Sequence, residues 1–325
     1  MRLHENKELF QDAIIATSQQ KGIREIYIEK DYWVSFALYN IFKNEIGKET
    51  VFKGGTALSK CFNLIQRFSE DIDLVVLRNE SETGSQLKTK IKKISKCVSN
   101  VLPEIDVEGI TNKVGMIRKT AHHYPRIFTG HLGQVRDIII VESTWLGHFE
   151  PYTTANVSSF VYELMLQNNQ QQLIDEYGMN SFEVLVLNPK RTLCEKIMSL
   201  VRFSQTHDPI GDLRNKIRHM YDIHLLLEDD NLKLFFNSDE FEAMLLRVAN
   251  DDIVSFKNNN KWLANHPMTA IIFSDTVETW NKIKNVYTDS FSELVFGEFP
   301  LETDILNTLI TVADKLRTVE WNIKL

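Results

Sequence analysis

The chain has 325 residues and is 43% hydrophobic, 25% charged and 10% aromatic, ordinary values that exclude collagen-like, low-complexity and disordered classes and suggest about two domains. Its 37 Lys+Arg against 44 Asp+Glu give a formal net charge of −7, which excludes a uniformly basic nucleic-acid coat but not a local basic groove. Cys61, Cys97 and Cys194 are widely spaced with no CxxC, and neither a signal-peptide run nor about 18 uninterrupted apolar residues occurs, so reduced thiols, a cytoplasmic location and no membrane span are expected.

In chain order, residues 29–43 are apolar nearly all round and predict a buried helix. Residues 50–53 predict a short strand that ends in Gly54-Gly55, and a helix follows from Thr56. Residues 70–77 (EDIDLVVL) predict a second strand, rich in β-branched residues. Between 86 and 102, Leu87, Ile91, Ile94, Val98 and Val101 recur at helical spacing beneath a lysine face. Residues 103–136 suggest short strands and loops, and 137–146 (DIIIVESTWL) is the strongest strand signal. From about 160 the pattern turns helical, at 160–177, 190–204, 214–228, 239–249, 274–286 and 301–317. Pro, Gly and Asp make 205–213 a loop. The expected architecture is α/β (α+β): an N-terminal mixed sheet with flanking helices over 1–160, then a mainly helical domain over 161–325.

Charge is uneven. Residues 220–325 hold 18 acids and 9 bases, whereas 1–219 hold 26 acids and 28 bases. Residues 86–96 carry five Lys and no acid. Residues 109–136 carry Lys113, Arg118, Lys119, Arg126 and Arg136, also without an acid, and 190–219 hold seven bases and three acids. A single such run is usually a solvated face. Three of them beside a carboxylate motif favour an anionic ligand.

That motif lies in KGGTALSKCFNLIQRFSEDIDL, residues 53–74. Asp71 and Asp73 are two apart on a predicted strand, so both carboxylates share one face. They repel unless a cation lies between them, which suits one or two Mg²⁺ ions. Gly54-Gly55, between strand and helix, lets a polyphosphate approach the backbone and the positive helix N-terminus, and Thr56 adds a hydroxyl. No GxxxxGK[ST] or GxGxxG is present, so neither a P-loop nor a dinucleotide fold is indicated.

This Gly-Gly turn, helix and Asp-x-Asp strand resemble the nucleotidyltransferase superfamily. With RFSEDIDL, IEKDYWV (28–34), RTLCEKIMSLVR (191–202) and RHMYDIHLL (218–226), the sequence more narrowly resembles the AbiEii/AbiGii toxin family over roughly residues 8–226. The resemblance implies a nucleotidyltransferase fold and transfer of a nucleoside monophosphate from an NTP. It implies that Gly54, Gly55 and Thr56 hold the triphosphate, that Asp71 and Asp73 bind Mg²⁺, and that Arg67 and Ser69 orient the loop or contact phosphate. Lys196 matches the helix lysine taken to contact the nucleotide, and Asp222 the downstream aspartate near nucleotide or acceptor, both offered to the cleft by the helical domain. On residue grounds alone, Asp222 could equally pair with Arg218 at i,i+4.

The fold usually supplies a third carboxylate from a neighbouring strand, and Glu142, at the end of DIIIVE, is the candidate. The implied role is a toxin of a toxin–antitoxin or phage-defence pair with a separate antitoxin. Some relatives modify the acceptor end of tRNA, and the basic segments 86–96 and 109–136 would suit an RNA backbone. Transfer to a small molecule such as an antibiotic, and a non-catalytic nucleotide-binding protein, are the competing readings. The acidic C-terminal region carries no motif, and solubility is its default role.

Overall fold

The computed structural model describes residues 1–130, 135–256 and 259–325. Its helices and strands, in chain order, are α1 (Lys7–Lys21), α2 (Glu25–Phe42), β1 (Thr50–Lys53), α3 (Gly54–Phe62), β2 (Asp71–Val76), α4 (Gly84–Ser99), β3 (Glu104–Ile105), β4 (Ile117–His122), β5 (Ile139–Thr144), β6 (Tyr152–Val157), α5 (Phe160–Gln167), α6 (Gln171–Glu176), β7 (Phe182–Leu187), α7 (Pro189–Phe203), α8 (Pro209–Arg214), α9 (Ile217–Glu228), α10 (Asp230–Asn237), α11 (Asp239–Ser255), α12 (Ile271–Ser274), α13 (Thr276–Val286) and α14 (Glu302–Arg317). The chain divides into two units. The first comprises residues 1–63, 68–145 and 152–186, the second 64–67, 146–151 and 187–325. The sheet-bearing unit thus continues past residue 160, because β7 pairs in parallel with β1.

In the first unit the strands form a mixed sheet in the order β3-β4-β5-β2-β1-β7-β6. β2 pairs antiparallel with β1 and parallel with β5, and β5 pairs antiparallel with β4. Alternation gives the sheet two faces. One carries Lys53, Asp71, Asp73, Lys119 and Glu142. The other carries Phe52, Ile72, Leu74, Val141 and Ser143, and the apolar stripe of α4 lies against it. Ser143 Oγ reaches the carbonyl of Ile91, and Arg118 Nε donates to Ser95 Oγ at 2.6 Å. A Thr83/Gln86 capping box starts α4. Helix α2 is buried along nearly its whole length, as its composition predicts, with Trp33 packed against Phe10, Tyr32, Phe36 and Tyr124.

In the second unit α7 packs against α9 and α11, and α14 against α9 and α13. Leu193, Ile197 and Val201 of α7, Ile223 and Leu226 of α9, Leu245 and Val248 of α11, and Leu309 and Val312 of α14 form its core. The expected loop 205–213 contains α8. Asp208 caps it by accepting from the Gly211 N–H at 3.0 Å, and Pro209 occupies its first turn. The predicted helix 160–177 is two helices, broken where Asn169 adopts a φ of 56°. Among the described residues no helix is long and apolar enough to cross a membrane.

Candidate active site

The sheet register builds the carboxylate face. Lys53 stands opposite Asp73, Asp73 beside Glu142, and Glu142 opposite Lys119. A row of two adjacent carboxylates flanked by two lysines therefore crosses β1, β2, β5 and β4, with Asp71 on the same face as Asp73, two residues before it. Burial, then the charges of Glu142 and Asp71, push the Asp73 carboxyl up to about 7, against the pull of Lys53 and Lys119. Asp71 Oδ1 is buried and has no hydrogen-bond partner. Glu142 is turned toward Lys119, with Oε2 3.1 Å from Nζ. Burial acts against the Lys119 ammonium, but Glu142 outweighs it and raises its pKa. Among the described residues no three His, Cys, Asp or Glu side chains stand together closely enough to hold a metal ion.

Gly54 has φ +81°, and a Cβ built on it would overlap the Asp73 carboxylate. The glycine is therefore required by the carboxylate as well as by backbone conformation. Gly54 and Gly55 open α3, and Lys53 before them supplies no side-chain cap, so the first N–H groups of the helix depend on another partner. Thr56 is buried, with Oγ1 2.6 Å from the Asp71 carbonyl and 2.9 Å from Ser69 Oγ. Its single proton goes to the carbonyl, which makes Ser69 the donor to Thr56. These two hydroxyls fix α3 to the start of β2, a use that phosphate recognition does not require.

Three successive buried charges on α2 hold the surrounding chain. Glu29 accepts the N–H groups of Ile127 and Phe128 at 2.7 and 3.0 Å. Lys30 donates to Glu70 and to the Arg136 carbonyl, and Glu70 in turn accepts the Arg136 N–H at 3.0 Å. Asp31 accepts from Lys60 of α3 at 2.6 Å and from the Phe160 N–H at 2.8 Å. Burial lowers the pKa of Lys30 and raises those of Glu29 and Asp31, and in each case the partners oppose it. Glu70 directly precedes Asp71, so Lys30 anchors the strand that carries the carboxylates. The sequence signal is EKD inside an apolar helix, where charges without partners would be costly.

In the second unit Arg67 grips Asp222 bidentately, Nε to Oδ1 at 2.6 Å and Nη2 to Oδ2 at 2.7 Å, and Lys196 donates to Oδ2 at 2.6 Å. Burial alone would raise the Asp222 carboxyl, but Arg67 and Lys196 hold it well below the usual carboxylate range. The Arg67 backbone bridges Val295, and the Gln66 carbonyl accepts the N–H groups of Phe296 and Gly297. A Cβ on Gly297 would overlap Gln66. Arg191, besides its i,i+4 pair with Glu195, donates to Asp251 of α11 at 2.6 Å.

The family model described as the nucleotidyl transferase AbiEii toxin of Type IV toxin–antitoxin systems matches residues 37–303. The fold is similar to that of MenT4, a nucleotidyltransferase toxin from Mycobacterium tuberculosis H37Rv, with a TM-score of 0.55 at 15% identity, covering 94% of this chain and 90% of that one. No curated protein sequence matches the chain.

Two stability measurements follow from this geometry. Lys30→Met removes the buried cation that faces Glu70, leaving it the more exposed Arg136 at 3.7 Å, and should cost about 3–5 kcal/mol in denaturant unfolding, whereas Lys30→Met/Glu70→Met should recover most of that. A double variant no better than the single would show that the pair is not the source of the loss. Because the folded Asp73 carboxyl lies above its unfolded value of 3.8, the folded state binds the extra proton between about pH 4 and 7. Stability contributed by that proton falls as pH rises through this window. With divalent ions chelated, Asp73→Asn should therefore gain about 1–3 kcal/mol over wild type at pH 8 and little at pH 4, a range discounted for partial solvent access. Equal differences at both pH values in thermal unfolding would refute the raised carboxyl.

Proposed function

Since the chain belongs to the AbiEii nucleotidyltransferase toxin family, for which a cognate antitoxin is implied, we propose that it transfers a nucleoside monophosphate from an NTP to RNA, at the acceptor end of tRNA, with Mg²⁺ as cofactor. The observation that carries the metal reading is the Asp71/Asp73 pair, with one buried oxygen lacking a partner and one carboxyl raised by its neighbours' charge. Both features are relieved by a divalent cation. Asp71 and Asp73 would hold Mg²⁺, which when bound supplies positive charge at the reacting phosphate.

The N-terminal N–H groups of α3, beginning at Gly54 and Gly55, bind the leaving phosphates. Thr56 and Ser69 keep that helix fixed to the carboxylate strand. Glu142 supports the carboxylate pair and is the third ligand when released from Lys119. Lys196 and Asp222 act through Arg67: they fix its guanidinium and hence the chain that leads into Ser69. The acceptor's terminal hydroxyl, oriented by the same face of the sheet, attacks the NTP α-phosphate: the new P–O bond forms as the bond to pyrophosphate breaks, and the hydroxyl proton passes to solvent.

RNA as acceptor is supported by charge. Lys88, Lys92, Lys93 and Lys96 are exposed on α4, a helix without an acid. Since α4 covers the sheet face opposite the carboxylates, these lysines suit phosphates of the RNA body, remote from the reacting end. Lys119, paired with Glu142, lies on the carboxylate face itself.

Asp71→Ala and Asp73→Ala should reduce labelled-nucleotide transfer to background while circular dichroism stays native, since the carboxylates hold no neighbouring segment in place. Undiminished transfer by Asp73→Ala would sink the proposal. Glu142→Gln should lose about 10–100-fold if Glu142 supports the metal ligands, and much less if it serves only Lys119. Replacing Lys88, Lys92, Lys93 and Lys96 together by Gln should flatten the slope of log affinity against log salt for tRNA by about 3, since each lost phosphate contact removes about 0.7–0.9. An unchanged slope would place the RNA elsewhere.

A further inference from the structure

In the second unit a cavity of about 430 Å³ lies at the C-terminal end of α7, remote in role from anything assigned above. Arg202, Gln205, His207, Lys261, Trp262 and Asn265 are among its lining residues, and among the described residues no carboxylate lines it. The lining comes from the basic segment 190–219 and from 259–265, which carries Lys261 and no acid. Neither Arg202 nor Lys261 forms an ion pair among the described residues. The Arg202 guanidinium is instead held over two aromatic rings, 4.3 Å from the centre of Phe256 and 4.7 Å from that of Phe203. Those rings orient it, and among the described residues its N–H donors have no acceptor. Asp252 is the acid whose charge reaches Arg202; burial outweighs it and lowers the guanidinium's pKa.

Gln205 makes the cavity more than a basic surface. Its Oε1 accepts from Asn265 Nδ2 at 2.9 Å, which fixes the amide. Its Nε2, so directed, is buried without a partner. A buried donor left unbonded is costly, and a ligand in the cavity that drew the Gln205 amide toward it would remove that cost. Arg202 and Lys261 thus line one space beside this amide, with no ion-pair partner among the described residues.

We propose that this cavity is a phosphate-binding site, in which Arg202, Lys261 and Gln205 Nε2 grip one phosphate group. Arg202 offers the planar fork that matches phosphate oxygens, Lys261 an adaptable charge, and Gln205 a neutral donor that fixes register. The ligand is either a free phosphate, including that of a nucleotide, or a phosphate of an RNA backbone. The site does not depend on the Asp71/Asp73 chemistry.

The test is calorimetric titration of the full-length protein with inorganic phosphate, in EDTA and at constant ionic strength. Wild type should saturate with a Kd in the millimolar range. Lys261→Gln, on an exposed turn, should weaken binding severalfold, and Gln205→Glu, which turns the buried donor toward repulsion, by at least about tenfold, equivalent to about 1.4 kcal/mol. Arg202→Met, which keeps the stem against the rings, should remove binding; the Lys261 variant remains informative if that protein fails to fold. A parallel titration uses a short single-stranded RNA without a terminal phosphate. Loss of RNA affinity in the same variants identifies backbone phosphate, and loss confined to inorganic phosphate identifies a free ligand. No saturable binding up to about 20 mM phosphate, or equal affinity in wild type, Lys261→Gln and Gln205→Glu, overturns the site.

Discussion

Mutual repulsion among Asp71, Asp73 and Glu142 is the constraint around which the first unit is organised. Strand register brings Glu142 beside Asp73, and the pleat puts Asp71 on the same face. Left alone, such a cluster would splay or take up protons. Lys53 and Lys119 flank the row and limit the repulsion, yet Asp73 is still pushed up to about 7. The backbone must therefore be rigid where the charges meet. Glycine at position 54 admits the Asp73 carboxylate, Thr56 binds the carbonyl of Asp71, and Lys30 clamps Glu70 immediately before it.

The charged residues of α2 belong to the same logic. A helix as apolar as this one could pack with hydrophobic side chains throughout, and such replacement of buried ion pairs is often neutral or stabilising. What Glu29, Lys30 and Asp31 add is direction. Each reaches a different segment: the backbone at 127–128, the start of β2 with Arg136, and α3 with the start of α5. In the second unit the acidic C-terminal region acts similarly. Val295, Phe296 and Gly297 bind the backbone of Gln66 and Arg67, so this region frames a motif more than two hundred residues earlier in addition to carrying charge.

Local signals are the legible ones. The period-2 spacing of Asp71 and Asp73, the Gly-Gly turn before a helix and the lysine face of α4 each lie within a few residues, where backbone geometry alone determines what is shared. Glu142 can be nominated by its face on a strand, but its place beside Asp73 depends on β2 pairing with β5 across some seventy residues. The partner of Asp222 shows the limit more sharply. Arg218 is available at helical spacing, whereas the observed grip comes from Arg67, 155 positions away. β7 (FEVLVL) is hidden in the sequence because a six-residue alternation amid helices is weak until a neighbouring strand gives it a purpose. The lysine face of α4 is exposed as its spacing predicts, but only the fold shows that it lies on the layer opposite the carboxylates.

Two aspartates illustrate how environment, not residue type, divides the labour. Asp222 is fully buried, yet Arg67 and Lys196 satisfy both of its oxygens with charge-assisted bonds, so it stays ionised across any physiological pH. Two cations match its charge, and in turn it fixes the position of the Arg67 guanidinium. Asp73 meets carboxylates instead of two gripping cations, and its charge is correspondingly easy to neutralise. With the carboxyl at about 7, a proton neutralises it from neutrality downward, whereas a divalent cation would do so without a fall in pH and would relieve Asp71 at the same time. Opposite surroundings thus move the two carboxyls apart, Asp222 well down and Asp73 up to about 7.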